Sequence, residues 1–341
     1  MRNHKNIILL VTLILSINSC VAPSLDTYEP PYQLEASKAI VDEKSADLTL
    51  LGLYAQFTKK DLEGTPYIYL LPELMGAYAE PGYYDYFIRK DPQYIGICDN
   101  SPVASGSNFF INGVYPGMYK AINKANWIIE QTAKVADNKF SSPERKQEII
   151  AEARIIRAMS NFYLLRLLGE FYDVNSEYGL DVRLKPVSNT FKYTEAFSGE
   201  LYEMAYHMRV SEVYLIYAEA AARATNSVCT EALSALNTLR AKRGAKTTGG
   251  DGFETYPNTI TDLAQFLELV RIEKAIELIF EQGESWFDLV RFDYADGGFA
   301  GGFKASDVKP TATDSERFIL PIPQTSIDAA GGVIKQNPEY N

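Results

Sequence analysis

The clearest pattern along the chain lies at 143–168, where Ile149, Ala153, Ile156, Ser160, Tyr163 and Leu167 recur at alternating steps of four and three residues. That spacing lines one face of an α-helix. Ser142 is the expected N-cap, Pro143 suits the first helical position, and Glu144 falls in the first turn, where a negative charge meets the positive end of the helix dipole. Gly169 is the expected left-handed cap at the far end. The same period in Tyr119, Ile122, Asn126, Ile129 and Ala133 predicts a helix over about 116–136.

Further along, Val210, Val213, Tyr214, Tyr217, Ala218 and Ala221 follow the i, i+3, i+4, i+7 rule and mark an expected buried face. After a break between Thr225 and Thr230, Leu233, Leu236 and Leu239 predict a second helix running to Arg243 and ending at Gly244. The small residues Ala218, Ala220, Ala221, Ala222 and Ala224 would let the two helices approach closely. The pair has the form of a tetratricopeptide-type hairpin, although no strict repeat runs the length of the chain. A long helix is expected over 261–282, with Leu263, Phe266, Leu267, Val270, Ile276, Ile279 and Phe280 on its apolar face and Gly283 as its left-handed cap. A short helix is expected around Trp286 to Arg291, and Trp127 and Trp286 are expected in the core. Phe318 to Pro323 is apolar, but its prolines forbid a helix. The predicted fold is mostly α, built of helical hairpins with long loops.

The N-terminus changes this picture. Arg2 and Lys5 precede an apolar run from Ile7 to Ile17, which is the layout of an export signal. The run is too short for a spanning helix, which needs roughly 20 apolar residues. Ile17-Asn18-Ser19-Cys20 follows and resembles the lipobox of bacterial lipoproteins, which marks Cys20 as the lipid attachment point. The expected organisation is therefore a signal peptide at 1–19, an anchor and Pro-rich tether at 20–44, and one helical domain over 45–341.

The 341 residues carry a formal net charge of −11, and loss of the signal removes two positive charges more. So acidic a chain offers no electrostatic footprint for nucleic acid. With Cys20 acylated only Cys98 and Cys229 remain, far apart and in no metal-binding spacing; two free thiols are favoured over a pair. His4 leaves with the signal, so His207 alone cannot build a multi-histidine metal site, and no G-x-S-x-G elbow accompanies it. No metal, cofactor or catalytic residue is expected.

Two groups of residues invite a functional role. Glu273, Glu277 and Glu281 stand four apart, and paired carboxylates serve glycoside hydrolysis. Carboxylates on one helix face point the same way, however, and cannot flank a sugar. Arg271, Lys274 and Arg291 are available as counter-charges, so a structural ion-pair network is expected, with Asp288 beside Arg291. The second group is aromatic: nine of the 23 tyrosines fall between Tyr67 and Tyr119. Tyr83, Tyr84, Tyr86 and Phe87 follow no helical period, and Phe109-Phe110 is flanked by Asn108 and Asn112. Aromatic rings with amide groups beside them suit capture of a ligand with apolar faces and hydroxyl edges.

Four stretches resemble the SusD/RagB family of outer-membrane nutrient-binding lipoproteins. They are Ala151 to Ala158 continuing to Phe171; Arg209 to Ala220 with Ala235 to Arg240 and Arg243-Gly244; Arg271 to Leu278 with Phe280 to Gly283 and Trp286 to Arg291; and Leu320 to Gln324 with Ile327-Asp328 and Gln336-Asn337-Pro338. Members usually carry a longer segment where this chain has only Tyr172 to Met208, so it resembles a short or internally deleted member. The resemblance implies a SusD-like fold and a place in the outer membrane facing the cell surface. It further implies a SusC-like TonB-dependent transporter as partner and an oligosaccharide, or in some members a peptide, as ligand. It places 78–112 among the ligand-facing loops, so Tyr83, Tyr84, Tyr86, Phe87, Asn108, Phe109, Phe110 and Asn112 are the expected ligand contacts. A helical scaffold that binds only proteins is the alternative from another class.

Overall fold

Ser142 leaves extended backbone and accepts a 3.1 Å hydrogen bond from the amide of Arg145, which starts the helix Pro143–Leu168 as the sequence predicts. The computed structural model describes residues 33–35, 39–58, 67–76, 92–101, 109–187, 190–192, 209–279, 281, 283–298 and 302–340. In chain order these form β1 (Gln33–Glu35), α1 (Glu43–Thr58), α2 (Tyr67–Met75), α3 (Pro92–Cys98), α4 (Phe109–Lys134), α5 (Pro143–Leu168), β2 (Thr190–Lys192), α6 (Val210–Thr225), α7 (Thr230–Lys242), α8 (Leu263–Glu277), α9 (Glu284–Asp296), α10 (Ala305–Val308) and α11 (Gln324–Ala329). The two strands form an antiparallel pair with Leu34 opposite Phe191. The fold is mostly helical, as predicted.

Two apolar cores divide the described helices. The larger gathers α1, α2, α4 and α5 around Met118, Ile122, Ile128, Leu164 and Leu167, and takes Trp286, Phe287 and Val290 from α9. Trp127 and Trp286 are both buried in it. Ala39 and Ile40 also pack there, ahead of α1, so packed structure starts before residue 45. The smaller core lies between α6, α7 and α8: Leu215, Ala218 and Ala222 meet Ala232, Ala235, Leu236, Phe266 and Val270. The alanines permit the close α6–α7 approach, and the turn between them is closed by left-handed Asn226 at φ 47°. Cys98 and Cys229 are not joined to each other.

Several local expectations are corrected. Helix α4 begins seven residues earlier than predicted and carries Pro116 inside it. Pro116 withholds one amide, but burial of Ile111, Val114 and Tyr115 ahead of it keeps the first turns helical. Gly169 is extended (φ −122°) rather than left-handed, and the glycine serves a close approach instead. A Cβ there would stand 2.8 Å from Leu165 Cδ1 and 3.2 Å from the carbonyl of Tyr178. Helix α8 ends at Glu277, not 282, because Leu278 turns inward to full burial. Ile276 and Ile279 are exposed rather than core.

The largest correction concerns α6. Of the stripe expected to be buried, Ala218 is buried and Ala221 packs on the smaller core, but Val210 (73% exposed), Val213, Tyr214 and Tyr217 (52%) face outward. Its buried face is Ser211, Leu215, Ala218 and Ala222, joined by Glu212 and Glu219. Hydrophobicity alone pointed to the wrong side because α6 is apolar on two faces.

Gly283 is left-handed as predicted (φ 73°), but it opens α9 instead of closing α8. Its amide donates a 2.6 Å hydrogen bond to Glu73 Oε1, and any Cβ would run into the ring of Pro72 on α2. Gly297 closes α9 at nearly the same φ of 74°, with nothing within 4 Å of the Cβ position. Gly297→Ala should therefore cost only the left-handed penalty, about 1–2 kcal/mol. Gly283→Ala should cost about 3 kcal/mol or more, because overpacking adds to it. Chemical denaturation of the two variants checks this; equal losses would mean that α2 and α9 do not meet at Gly283.

Candidate ligand-binding site

The carboxylates of Glu273 and Glu277 on α8, and of Glu281 after its end, are held in ion pairs. Glu273 binds Arg240, which also donates to the Glu254 carbonyl at 2.9 Å and stacks on Tyr256 at 4.1 Å from the ring centre. Glu277 is shared by Arg209 (2.9 Å) and Arg243, and Glu281 takes Arg209 at 2.7 Å. Burial pushes the Glu277 carboxyl up, but hydrogen bonds from Arg243 and Arg209 outweigh it and hold the group below its ordinary range. The network is present as expected, with different partners: Arg209, Arg240 and Arg243 hold the row, while Arg271 pairs with Asp296 at 2.6 Å. The Asp288–Arg291 pair forms as expected at 2.9 Å.

A cleft suited to a ligand lies against the larger core. Its floor is the apolar C-terminal stretch, pinned to the end of α5. The amide of Leu320 donates to the Leu167 carbonyl (2.7 Å), and Asn337 Nδ2 donates to the carbonyls of Leu168 (2.9 Å) and Leu320 (2.7 Å). Gln336 exchanges two 2.8 Å bonds with the backbone of Ile322. One wall is the segment 177–187, held extended along α4. Tyr119 Oη donates to the Asp181 carbonyl (3.1 Å), Asn126 Nδ2 to the carbonyls of Arg183 (3.0 Å) and Lys185 (3.2 Å), and the Val187 amide to Asn123 Oδ1 (3.0 Å). Arg157 fixes the Asn126 side chain from α5 with a 2.8 Å bond to its Oδ1.

Between wall and floor is a cavity of about 620 Å³ lined by Glu177, Tyr178, Asp181, Arg183, Ile334 and Lys335 among others. A further space of about 400 Å³ shares Tyr178, Ile334 and Lys335 and reaches Gln324 and Ile327 of α11. The lining mixes charged and amide groups with flat apolar surface, which can bond hydroxyls while packing against C–H faces. Arg183 is oriented by a 2.8 Å bond to Asp181, which holds its guanidinium pKa above the usual range against burial.

Asn112 is among the sequence-predicted contacts that the structure describes. It sits in the first turns of α4 rather than on a loop and accepts a 3.4 Å hydrogen bond from Thr325 of α11, so it stands beside the second space. Phe109 and Phe110 lie in the same helical turn, with side chains outside the description. Tyr83, Tyr84, Tyr86, Phe87, Asn108, Cys20 and His207 lie outside the described residues. Tyr178, Arg183 and Lys335 were not found from sequence, since isolated polar residues in irregular segments carry no period. The available signal was Tyr119, Asn123 and Asn126, whose hydrogen-bonding side chains recur at helical spacing on α4 and hold the wall.

The model of the SusD family matches residues 181–340, a little under half of the chain, from the cleft wall through the C-terminal clamp. That segment is similar to the SusD/RagB family. No curated protein and no solved structure matches it. Members of this family bind nutrients rather than transform them, and they are typically associated with the outer membrane. Among the described residues no helix is long and apolar enough to cross a membrane, and no cluster could hold a metal ion. The second, third and fourth family stretches fall inside the match. Within them Gln336 and Asn337 are clamp residues, and Glu273 and Glu277 are ion-pair residues.

Removing one partner of a buried pair leaves the other charge uncompensated, at about 3–5 kcal/mol. Arg240→Met should therefore destabilise by about that amount, because Glu273 would keep only the 2.9 Å bond from Tyr256 Oη. Urea unfolding measures it, and a loss below about 1 kcal/mol would show that the pair is not desolvated.

Proposed function

We propose that this SusD-family protein is an outer-membrane lipoprotein that captures oligosaccharides at the cell surface and delivers them to a SusC-like TonB-dependent transporter. The observation that carries the reading is the cleft beside α11, with Tyr178, Arg183 and Lys335 set against the apolar Ile322–Ile334 surface; of these, all but Tyr178 lie inside the segment that matches the family. Its volume is in the range of small-molecule sites, roughly 300–1,000 Å³. A pyranose laid on that surface would turn its hydroxyls toward Asp181, Arg183 and Lys335.

The division into a signal at 1–19, a tether at 20–44 and a ligand-binding body from 45 onward belongs to the same reading. Cys20 is the acylated residue, and acyl chains supply the membrane hold that an acidic chain lacks. Tyr83, Tyr84, Tyr86, Phe87, Asn108, Phe109 and Phe110 are further ligand contacts on the same reading, and Asn112, which approaches α11, is another.

Stacking platforms contribute roughly 1–3 kcal/mol each in nucleic-acid sites, a loose guide for sugars. On that scale Tyr178→Ala with Lys335→Ala should weaken oligosaccharide binding at least tenfold while leaving the melting temperature within a degree or two. A glycan array followed by titration of its best hit reads this. Binding of peptides but no glycan would transfer the protein to the peptide-capturing branch, and unchanged glycan affinity would move the site away from the cleft. Cys20→Ala should shift the protein out of the outer-membrane fraction in cell fractionation. Recovery there equal to wild type would remove the lipid anchor from the proposal.

A further inference from the structure

A second cavity, of about 450 Å³, lies between the two cores, where α5 and α9 face α6 and α8. It shares no lining residue with the cleft beside α11. Its walls are apolar: Phe162, Leu165 and Phe171 on one side, Phe287 on α9, Ile216 and Ala220 on α6. Charged side chains edge it, and all but one are matched. Lys274 binds Asp288 at 2.8 Å, and Arg291 binds Asp288 at 2.9 Å and Glu219 at 2.6 Å. Arg223 reaches Glu219 at 2.8 Å and Asp296 at 2.6 Å. Arg166 lies 2.6 Å from Glu284 and is held between the rings of Phe287 and Phe162, at 3.7 and 4.9 Å.

Glu212 is the exception. It is 8% exposed and lines the cavity, yet its carboxylate makes no hydrogen bond or ion pair among the described residues. An unpaired buried carboxylate is expensive, and the native structure must either protonate it or supply a cation. The groups facing it are Arg166 and Tyr163 from α5, Lys274 from α8, and Glu284 and Asp288 from α9. Both cations are already committed to other acids.

We propose that this cavity is a binding site for a primary ammonium carried on a short apolar body, with Glu212 receiving the cation and the Phe162, Phe171, Phe287 and Ile216 walls receiving the body. The pattern is complementary: one uncommitted acid at the lining of an otherwise apolar space. An anionic ligand has less to bind, since Arg166 is already charge-compensated by Glu284.

Burial, reinforced by Glu284 and opposed by Arg166 and Lys274, pushes the Glu212 carboxyl up to about 7. Without ligand, the native state therefore keeps a proton that the unfolded chain releases near pH 4.5. The stability contributed by that proton is full below the unfolded value and is lost as pH rises through about 7. Ammonium binding works in the opposite direction: it needs the carboxylate, so affinity should fall as pH is lowered through about 7.

Calorimetric titration of the full chain at pH 8 with 4-phenylbutylamine, 4-phenylbutanol and 4-phenylbutyrate tests this. The amine should bind at least tenfold more tightly than the alcohol, and the carboxylate more weakly still. Glu212→Gln should reduce amine affinity at least tenfold and leave the alcohol unchanged. Ala220→Trp, on the exposed face of α6 at the cavity, should block all three and serves if Glu212→Gln does not fold. No amine binding by the wild type, equal affinity for amine and alcohol, or an amine affinity indifferent to Glu212→Gln would each overturn the proposal. Preference for the carboxylate would overturn it in favour of Arg166.

Discussion

The described structure depends on a desolvated seam of charge between its two cores. Helices α6 and α8 meet α9 largely through Glu219, Lys274, Asp288 and Arg291, a connected set in which each member touches at least one opposite charge. Burial pushes both carboxyls up, yet the surrounding cations outweigh it and hold Asp288 and Glu219 below their ordinary range. Apolar surfaces can slide over one another at little cost. A chain of ion pairs with distances of 2.6–2.9 Å cannot, because a shift of one residue would leave several charges buried and unmatched. The seam therefore sets the register of the smaller core against the larger, and with it the shape of the cavity that Glu212 lines.

Much of the architecture is legible in the sequence because helical period and capping are local properties. Ser142 and Pro143 fix the start of α5, and the alanines of α6 and α7 announce a close hairpin. The errors have a common physical origin. Gly169 and Gly283 were both read as helix ends, a local role. Gly169 is small because Leu165 and Tyr178 crowd it, and Gly283 because Pro72 does; these are tertiary reasons with no local signature. In the same way α8 stops at Glu277 because Leu278 finds a buried place, although the apolar period continues past it.

The site was legible only at its edges. Aromatic richness directed attention to 78–112, of which Asn112 now stands beside the second space of the cleft. The cleft itself is made from scattered residues brought together by backbone bonds: Asn337 tying Leu168 to Leu320, and Asn126 carrying Arg183 and Lys185. Amides in such positions look like interruptions of an apolar face. They are the parts that convert two irregular segments into a floor and a wall, and the family match covers the floor and the wall from Asp181 onward.

Helical-hairpin proteins are quasi-one-dimensional stacks, and an end of such a stack is normally finished by a helix whose outer side is polar. α6 has no such finish among the described residues: Val210, Val213, Tyr214 and Tyr217 present the unit's apolar side to solvent. The described chain thus carries an open stacking edge, as though one more hairpin could be added without altering what is already built. Such an edge makes the hairpin count of this fold an adjustable quantity. The seam behind α6, with its fixed charges, keeps the rest of the molecule in place whatever stacks on that edge.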